Sequence, residues 1–279
     1  MQRPLAKAAL EHYADFGHSA IYVVKVQDLI SRLGREIAEP ALLALIRQLI
    51  YASREDLIPE FRSYAATLSA WREEKGGGNG RLPKAADFFD LSARQAMQRC
   101  LDYKNAVPDL YNALLGAAAA NLLHFDRNVE LRCDNKVDDN VGWLSFTHAI
   151  TFANAVRRIC TQYPDLWPQG LLQMACFVGR NNAYVDRRQA VDAWRVPDAE
   201  EFFKHEGRGL FDHGQFEYIV AGHLVKVLMA AREEVRAAPE APWVEDLLAA
   251  VNRFFHTPIK RKHVLRTMRQ SRKFVSLEG

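Results

Sequence analysis

The chain has 279 residues, 49% of them apolar and 25% charged, with a formal net charge of +3. That is the balance of a soluble globular protein able to bury a large core; no run of about eighteen apolar residues is present to span a bilayer, and the charge is too small to point to a membrane or a nucleic acid as partner. The cysteines, Cys100, Cys133, Cys160 and Cys176, form no CxxC pair, which excludes a zinc knuckle or a thioredoxin-like motif and leaves free thiols as the expectation.

The dominant period is helical. Residues 4–33 carry one broad apolar stripe that stops at Gly34, a C-cap. Pro40 opens ALLALIRQLIYAS at a position that a first turn tolerates. Residues 55–74 continue the pattern until GGGNG at 76–80 and Pro83 break it. Helices are expected at about 92–104 and, after Pro108, at about 109–124. The second of these contains LLGAAAANLL, whose small side chains either let helices approach closely or leave a cavity near Ala117–Ala120. Residues 126–139 read as a polar connection with a short extended piece. Further helices are expected at about 141–162, 168–178, 212–236, 242–255 and 258–273. Strict alternation of period two is nearly absent. The expectation is therefore an all-α multi-helix bundle with a buried central site, one domain over 1–279.

The N-terminal MQRPLAKAALEHY is charged and amphipathic rather than a signal peptide, so a cytoplasmic location is expected. Residues 256–275, HTPIKRKHVLRTMRQSRKFV, carry basic residues and no acid. They read as a solvated terminal helix rather than a nucleic-acid surface, because no recognised binding motif accompanies them. Neither a GxSxG elbow, a P-loop, HExxH nor paired ExxH occurs, so hydrolase, nucleotide-binding and ferritin-like di-iron readings have no support.

What stands out is polar residues inside apolar helices. In FEYIVAGHLVKVLMAAREE, His223 and Lys226 lie three apart, one turn from each other on one face. A buried ammonium is costly unless it is paired or neutral. A neutral lysine is a nucleophile, able to form a Schiff base or to take up carbon dioxide as a carbamate, an anionic metal ligand. The alternative is that Lys226 snorkels outward and His223 is a satisfied core residue. His148 sits in WLSFTHAITFANAVRR, with Thr151 and Asn154 as candidate partners for its ring. His18 follows Gly17 among small residues, with Asp15 placed to orient its imidazole. His124 ends the alanine-rich helix, either as a histidine favoured by the helix dipole or as a ligand. Such histidines, on separate helices, are the material of a metal site in a helical bundle. Imidazole donors suit iron, copper, nickel or zinc.

FGHSAIYVVKVQDLISRLG at 16–34, WLSFTHAITFANAV at 143–156 and GHLVKVLMAA at 222–231 together resemble the questin oxidase-like family, over roughly residues 8–235. The resemblance implies an all-helical oxygenase with one non-haem iron held by several histidines and a carboxylated lysine. It places His18, His148, His223 and Lys226 in that set, with His124 as the fourth histidine. Asp15, Thr151 and Asn154 would hold the imidazoles, and Tyr22, Trp143, Phe146 and Phe152 would line the substrate pocket. The partners implied are a small organic molecule, an aromatic one among the candidates, and dioxygen, with a separate electron-donor protein if one is needed. Fungal members of the family are longer than this chain, which puts a polyketide substrate in doubt. No CxH pair occurs, so the chain carries no Rieske-type cluster of its own. Imidazole ligands leave zinc open beside iron. Two other classes stand beside this one: a non-catalytic helical scaffold, and a Schiff-base enzyme using Lys226.

Overall fold

A computed structural model describes residues 3–73, 80–134, 136, 140–215, 217–259 and 264–278, without the side chains of Phe274, Leu277 and Glu278. The described residues form thirteen α-helices joined by short 3-10 turns and no sheet: α1 Arg3–Glu11, α2 His18–Leu33, α3 Ala38–Tyr51, α4 Tyr64–Glu73, α5 Ala93–Leu101, α6 Val107–Leu123, α7 Arg127–Leu131, α8 Trp143–Gln162, α9 Trp167–Asn181, α10 Ala199–Gly209, α11 Tyr218–Ala237, α12 Val244–His256 and α13 Val264–Glu278. Among them none is long and apolar enough to cross a membrane.

The architecture follows from how apolar each helix is around its circumference. Helices α6, α8 and α9 are buried along nearly their whole length, as a helix apolar on all sides must be. They pack on one another and form the centre. Around them stand α2 and α11 against α8, α5 against α9, and α12 against α6. One continuous apolar core runs through these helices, from Ala6 to Phe254. The small residues of α6 serve contact: Ala117, Ala118, Ala119 and Ala120 are all buried where α6 meets α8, α9 and α12. Gly179 does the same for α9, since a Cβ there would lie 2.4 Å from the Ala93 Cα of α5.

Three expectations need correction. The stripe over 4–33 is two helices, because the chain turns at 12–17 through left-handed backbone at Asp15, Phe16 and Gly17. The helix expected over 55–74 begins at Tyr64, since Pro59 and a 3-10 turn at Glu55–Leu57 interrupt the pattern. Residues 126–139 contain a short helix, α7, capped by the Asp126 side chain on the Asn128 amide. Helix α10, with Glu200, Glu201 and Lys204 on its surface, carries too few apolar residues for its period to stand out. The GGGNG break lies outside the described residues apart from Gly80, as does His263 in the basic segment. Helix α13 is solvated over most of its described length, with Val264, Met268 and Val275 exposed.

Candidate metal centre

Helix α8 lies between α2 and α11, and on those three helices His18, His148 and His223 meet. His148 Nε2 stands 3.0 Å from His18 Nε2 and 3.1 Å from His223 Nε2. Lys226 Nζ lies 3.4 Å from His223 Nε2. The rings are edge to face, with centroids 4.5 Å and 4.8 Å apart.

The opposite edges of the rings determine what this cluster can do. His18 Nδ1 faces the Asp15 carbonyl at 2.6 Å, and His223 Nδ1 faces the Ile219 carbonyl at 2.7 Å. The Leu144 carbonyl, one turn back on the same helix, favours the protonated form of the His148 ring. A carbonyl only accepts, so Nδ1 of His18 and of His223 carries the proton and their Nε2 atoms are left as lone pairs facing His148 Nε2. Burial pushes the His18 ring below its ordinary range, and burial followed by its two histidine neighbours and Lys226 pushes His148 far down. Burial holds His223 at about 4. Three neutral imidazoles thus bring their Nε2 atoms to a shared space, where the His18 and His223 lone pairs need a cation or a proton between them. Burial also lowers the Lys226 ammonium, the direction that favours the amine as a nucleophile toward carbonyl carbon or carbon dioxide.

As they stand, no three or more His, Cys, Asp or Glu side chains among the described residues form a group that could hold a metal. The two spacings at His148 nonetheless suit neighbouring ligands of one ion. Two ligands about 2.1 Å from a common ion at a right angle sit about 3.0 Å apart, the length of both imidazole contacts here.

The other expected site residues fall into two groups. Tyr22 belongs to the cluster: its ring stacks on His18 at 5.4 Å and is partly exposed. Asp15 also belongs, but acts through its main-chain carbonyl; its carboxylate is 3.8 Å from His18 Nδ1 and accepts from Gln48 instead. Phe152 is buried against Phe177 and packs over Gly17, where a Cβ would come within 2.5 Å of its ring. It therefore supports the turn before His18 rather than lining an opening.

Thr151 donates to the Thr147 and His148 carbonyls of its own helix. Asn154 donates to Glu233 and Glu234 on α11. These bonds go to main-chain carbonyls and carboxylates and not to an imidazole nitrogen. Trp143 and Phe146 point to the opposite side of α8, into a cluster with Phe125 and Phe254. His124 is at the C-terminal end of α6, with Arg187, Asp246 and Arg253 as its charged neighbours, and makes none of the contacts that join the other three histidines. A small pocket of about 10 Å³ lies beside Lys226, lined by Ile21, Lys25, Thr151 and Asn154. That is room for about one water-sized group.

Glu55 and Gln48 escape a sequence reading, being 37 and 30 residues from His18. The Glu55 carboxylate is buried and accepts the Phe16 amide and the Ser53 hydroxyl. Only the chemistry of a polar residue inside an otherwise apolar contact hints at them.

The chain matches no family model, and no curated protein or solved structure is significantly similar to it.

Proposed function

We propose that His18, His148 and His223 hold a metal ion through their Nε2 atoms, with iron as the metal and the oxidation of a small organic molecule by dioxygen as the reaction. The observation that carries the reading is the meeting of three Nε2 atoms, with His148 Nε2 at 3.0 Å and 3.1 Å from those of His18 and His223, while Nδ1 of His18 and of His223 is held on a carbonyl. Ligating histidines are commonly fixed in this way through the far ring nitrogen. Bound iron would supply the site at which dioxygen is activated. The ligand set contains no carboxylate, so a carbamate on Lys226, 3.4 Å from His223 Nε2, is the anionic donor the site needs. Tyr22, stacked on His18, walls the cluster on its solvent side and offers a face to an apolar or aromatic substrate. Electrons beyond those of the substrate would come from a separate donor protein.

Elemental analysis of untagged protein expressed with iron tests this. About one iron per chain is expected, lost in His148→Ala and in His223→Ala and reduced in Lys226→Ala. Stoichiometric zinc would keep the centre and remove the oxygen chemistry. Absence of metal, with the variants still folded, would sink the reading.

A second reading draws on the lowered Lys226 ammonium: the amine as a nucleophile forming a Schiff base with a carbonyl substrate, His223 beside it moving the proton. Borohydride trapping separates the two, because a reduced Schiff base leaves a stable adduct on Lys226 and a carbamate does not.

A further inference from the structure

We infer that Glu55 is a positioning residue for the metal centre: by clamping the left-handed turn Asp15–Phe16–Gly17 it fixes the carbonyl that orients His18. The inference rests on reading the three imidazoles as a metal centre.

The three histidines are not held alike. His148 and His223 lie in the second turns of their helices, where the carbonyl four residues back faces the ring: Ile219 takes the His223 Nδ1 proton, and Leu144 stands in the same place for His148. Any well-formed helix supplies that partner without outside help. His18 is the first residue of α2 and has no helical carbonyl four residues behind it. Its partner is the Asp15 carbonyl, three residues back, presented by backbone with φ of 50° at Asp15, 47° at Phe16 and 78° at Gly17. Two of those residues carry side chains, which seldom adopt this conformation, so the turn persists only where its surroundings over-determine it.

Phe152 and Phe177 pack against Gly17, and the polar contacts come from the 48–55 segment. The Asp15 amide donates to the Ser53 carbonyl at 2.8 Å, and the Phe16 amide donates to Glu55 Oε2 at 3.2 Å. Gln48 Nε2 donates to the Asp15 carboxylate at 2.8 Å. The second Glu55 oxygen accepts from Ser53 Oγ at 2.6 Å, so one side chain ties the turn to the 53–55 segment that holds it. Glu55 is only 4% exposed, and among the described residues no ion pair compensates its burial. A buried carboxylate engaged only with uncharged donors costs stability, and here both of its hydrogen bonds serve this junction. Without the clamp the turn relaxes toward right-handed backbone and the Asp15 carbonyl swings away. The His18 ring is then free to carry its proton on Nε2, where it blocks a ligand bond. Glu55 touches neither the imidazole nor the ion; it acts through the turn.

The test is titration with Co²⁺, followed by its visible absorption bands, on the full chain as wild type, Glu55→Ala and Glu55→Gln, with thermal unfolding of each metal-free protein alongside. Loss of an outer partner of a ligand commonly weakens metal binding about 10- to 100-fold, and that is the loss expected for Glu55→Ala. Glutamine keeps an acceptor for the Phe16 amide and can donate to Ser53 Oγ, so Glu55→Gln should rescue affinity to within about threefold of wild type. A merely structural Glu55 would lower the unfolding temperature and leave Co²⁺ affinity alone, and that result overturns the inference. So would Glu55→Gln binding as weakly as Glu55→Ala. If Glu55→Ala does not fold, Gln48→Leu loosens the other side of the turn: weakened Co²⁺ binding supports the inference and unchanged binding defeats it. Wild type that takes up no Co²⁺ removes the metal centre and the inference together, whereas tight wild-type binding with an unaffected Glu55→Ala removes the inference alone.

Discussion

A single glycine decides whether His18 can reach the cluster. Gly17 has φ of +78°, and a Cβ placed on it would lie 2.5 Å from Phe152 Cδ2 and 3.1 Å from Phe177 Cζ. Both rings are buried and pack together at 5.2 Å, so neither can swing aside cheaply. Gly17→Ala therefore adds steric overlap to backbone strain, each worth about 1–3 kcal/mol. Thermal unfolding of the metal-free protein should show a fall in midpoint of several degrees, about 2–4 °C per kcal/mol for a chain of this size; an unchanged midpoint would mean that the turn is not held as described. At this scale the sequence was partly legible. Histidines in apolar helices, with a lysine one turn on, were visible as residues that a core does not ordinarily hold. Their orienting partners were not, because Asp15, Leu144 and Ile219 act through carbonyls, which any residue type supplies. His124 shows the converse: its apolar surroundings resemble those of the other three, yet it follows the last turn of α6 with Arg187, Asp246 and Arg253 as its charged neighbours.

Bringing His148 and the His223–Lys226 pair together requires α8 and α11 to keep one register, and a buried polar lock sets it. Glu234 on α11 is 1% exposed and accepts from Arg157 Nε at 2.8 Å, from Asn154 at 2.8 Å and from the Tyr111 hydroxyl of α6 at 2.8 Å. Arg157→Met keeps the stem of the side chain and removes the cation, leaving a buried carboxylate with two neutral donors. Breaking a buried pair in this way costs about 3–5 kcal/mol, discounted here because Arg157 itself is 28% exposed, so about 2–4 kcal/mol is expected in urea unfolding. A loss below about 1 kcal/mol would show that Tyr111 and Asn154 satisfy the carboxylate unaided. Periodicity located α3, α8, α9 and α12 well because their apolar faces are broad and uninterrupted. It ran α1 and α2 together for a physical reason: the turn between them is made by conformation, at residues whose side chains still fit an apolar stripe.

At the scale of the whole molecule, fold class was legible throughout, since helical period is repeated in almost every segment while strand alternation is not. The use of the alanine-rich helix was open, and close packing is the outcome. Ala119 is fully buried, so Ala119→Leu should overpack the centre and cost about 1–3 kcal/mol, measured by urea unfolding, with the metal content of the protein unchanged. The outer helices are tied to that centre by charge, and this makes stability depend on pH. Asp28 on α2 receives two hydrogen bonds from Arg158 on α8, at 2.7 Å and 2.5 Å. Those bonds, against an opposing effect of burial and with help from Arg158, Lys25 and Arg32 as charges, hold its carboxyl below the usual range. The unfolded chain therefore takes up the proton first as pH falls, and stability rises with pH across that window. The contribution is complete above the unfolded value, about pH 4, and disappears as pH drops through the lower folded value. Asp28→Asn removes the charge while keeping the shape. Urea unfolding should find wild type ahead of the variant by a constant margin between about pH 5 and pH 7, with the margin closing below about pH 4. A margin that stays constant down to pH 2.5 would mean that the link between α2 and α8 depends on shape and neutral hydrogen bonds, and that charge adds nothing to holding His18 beside His148.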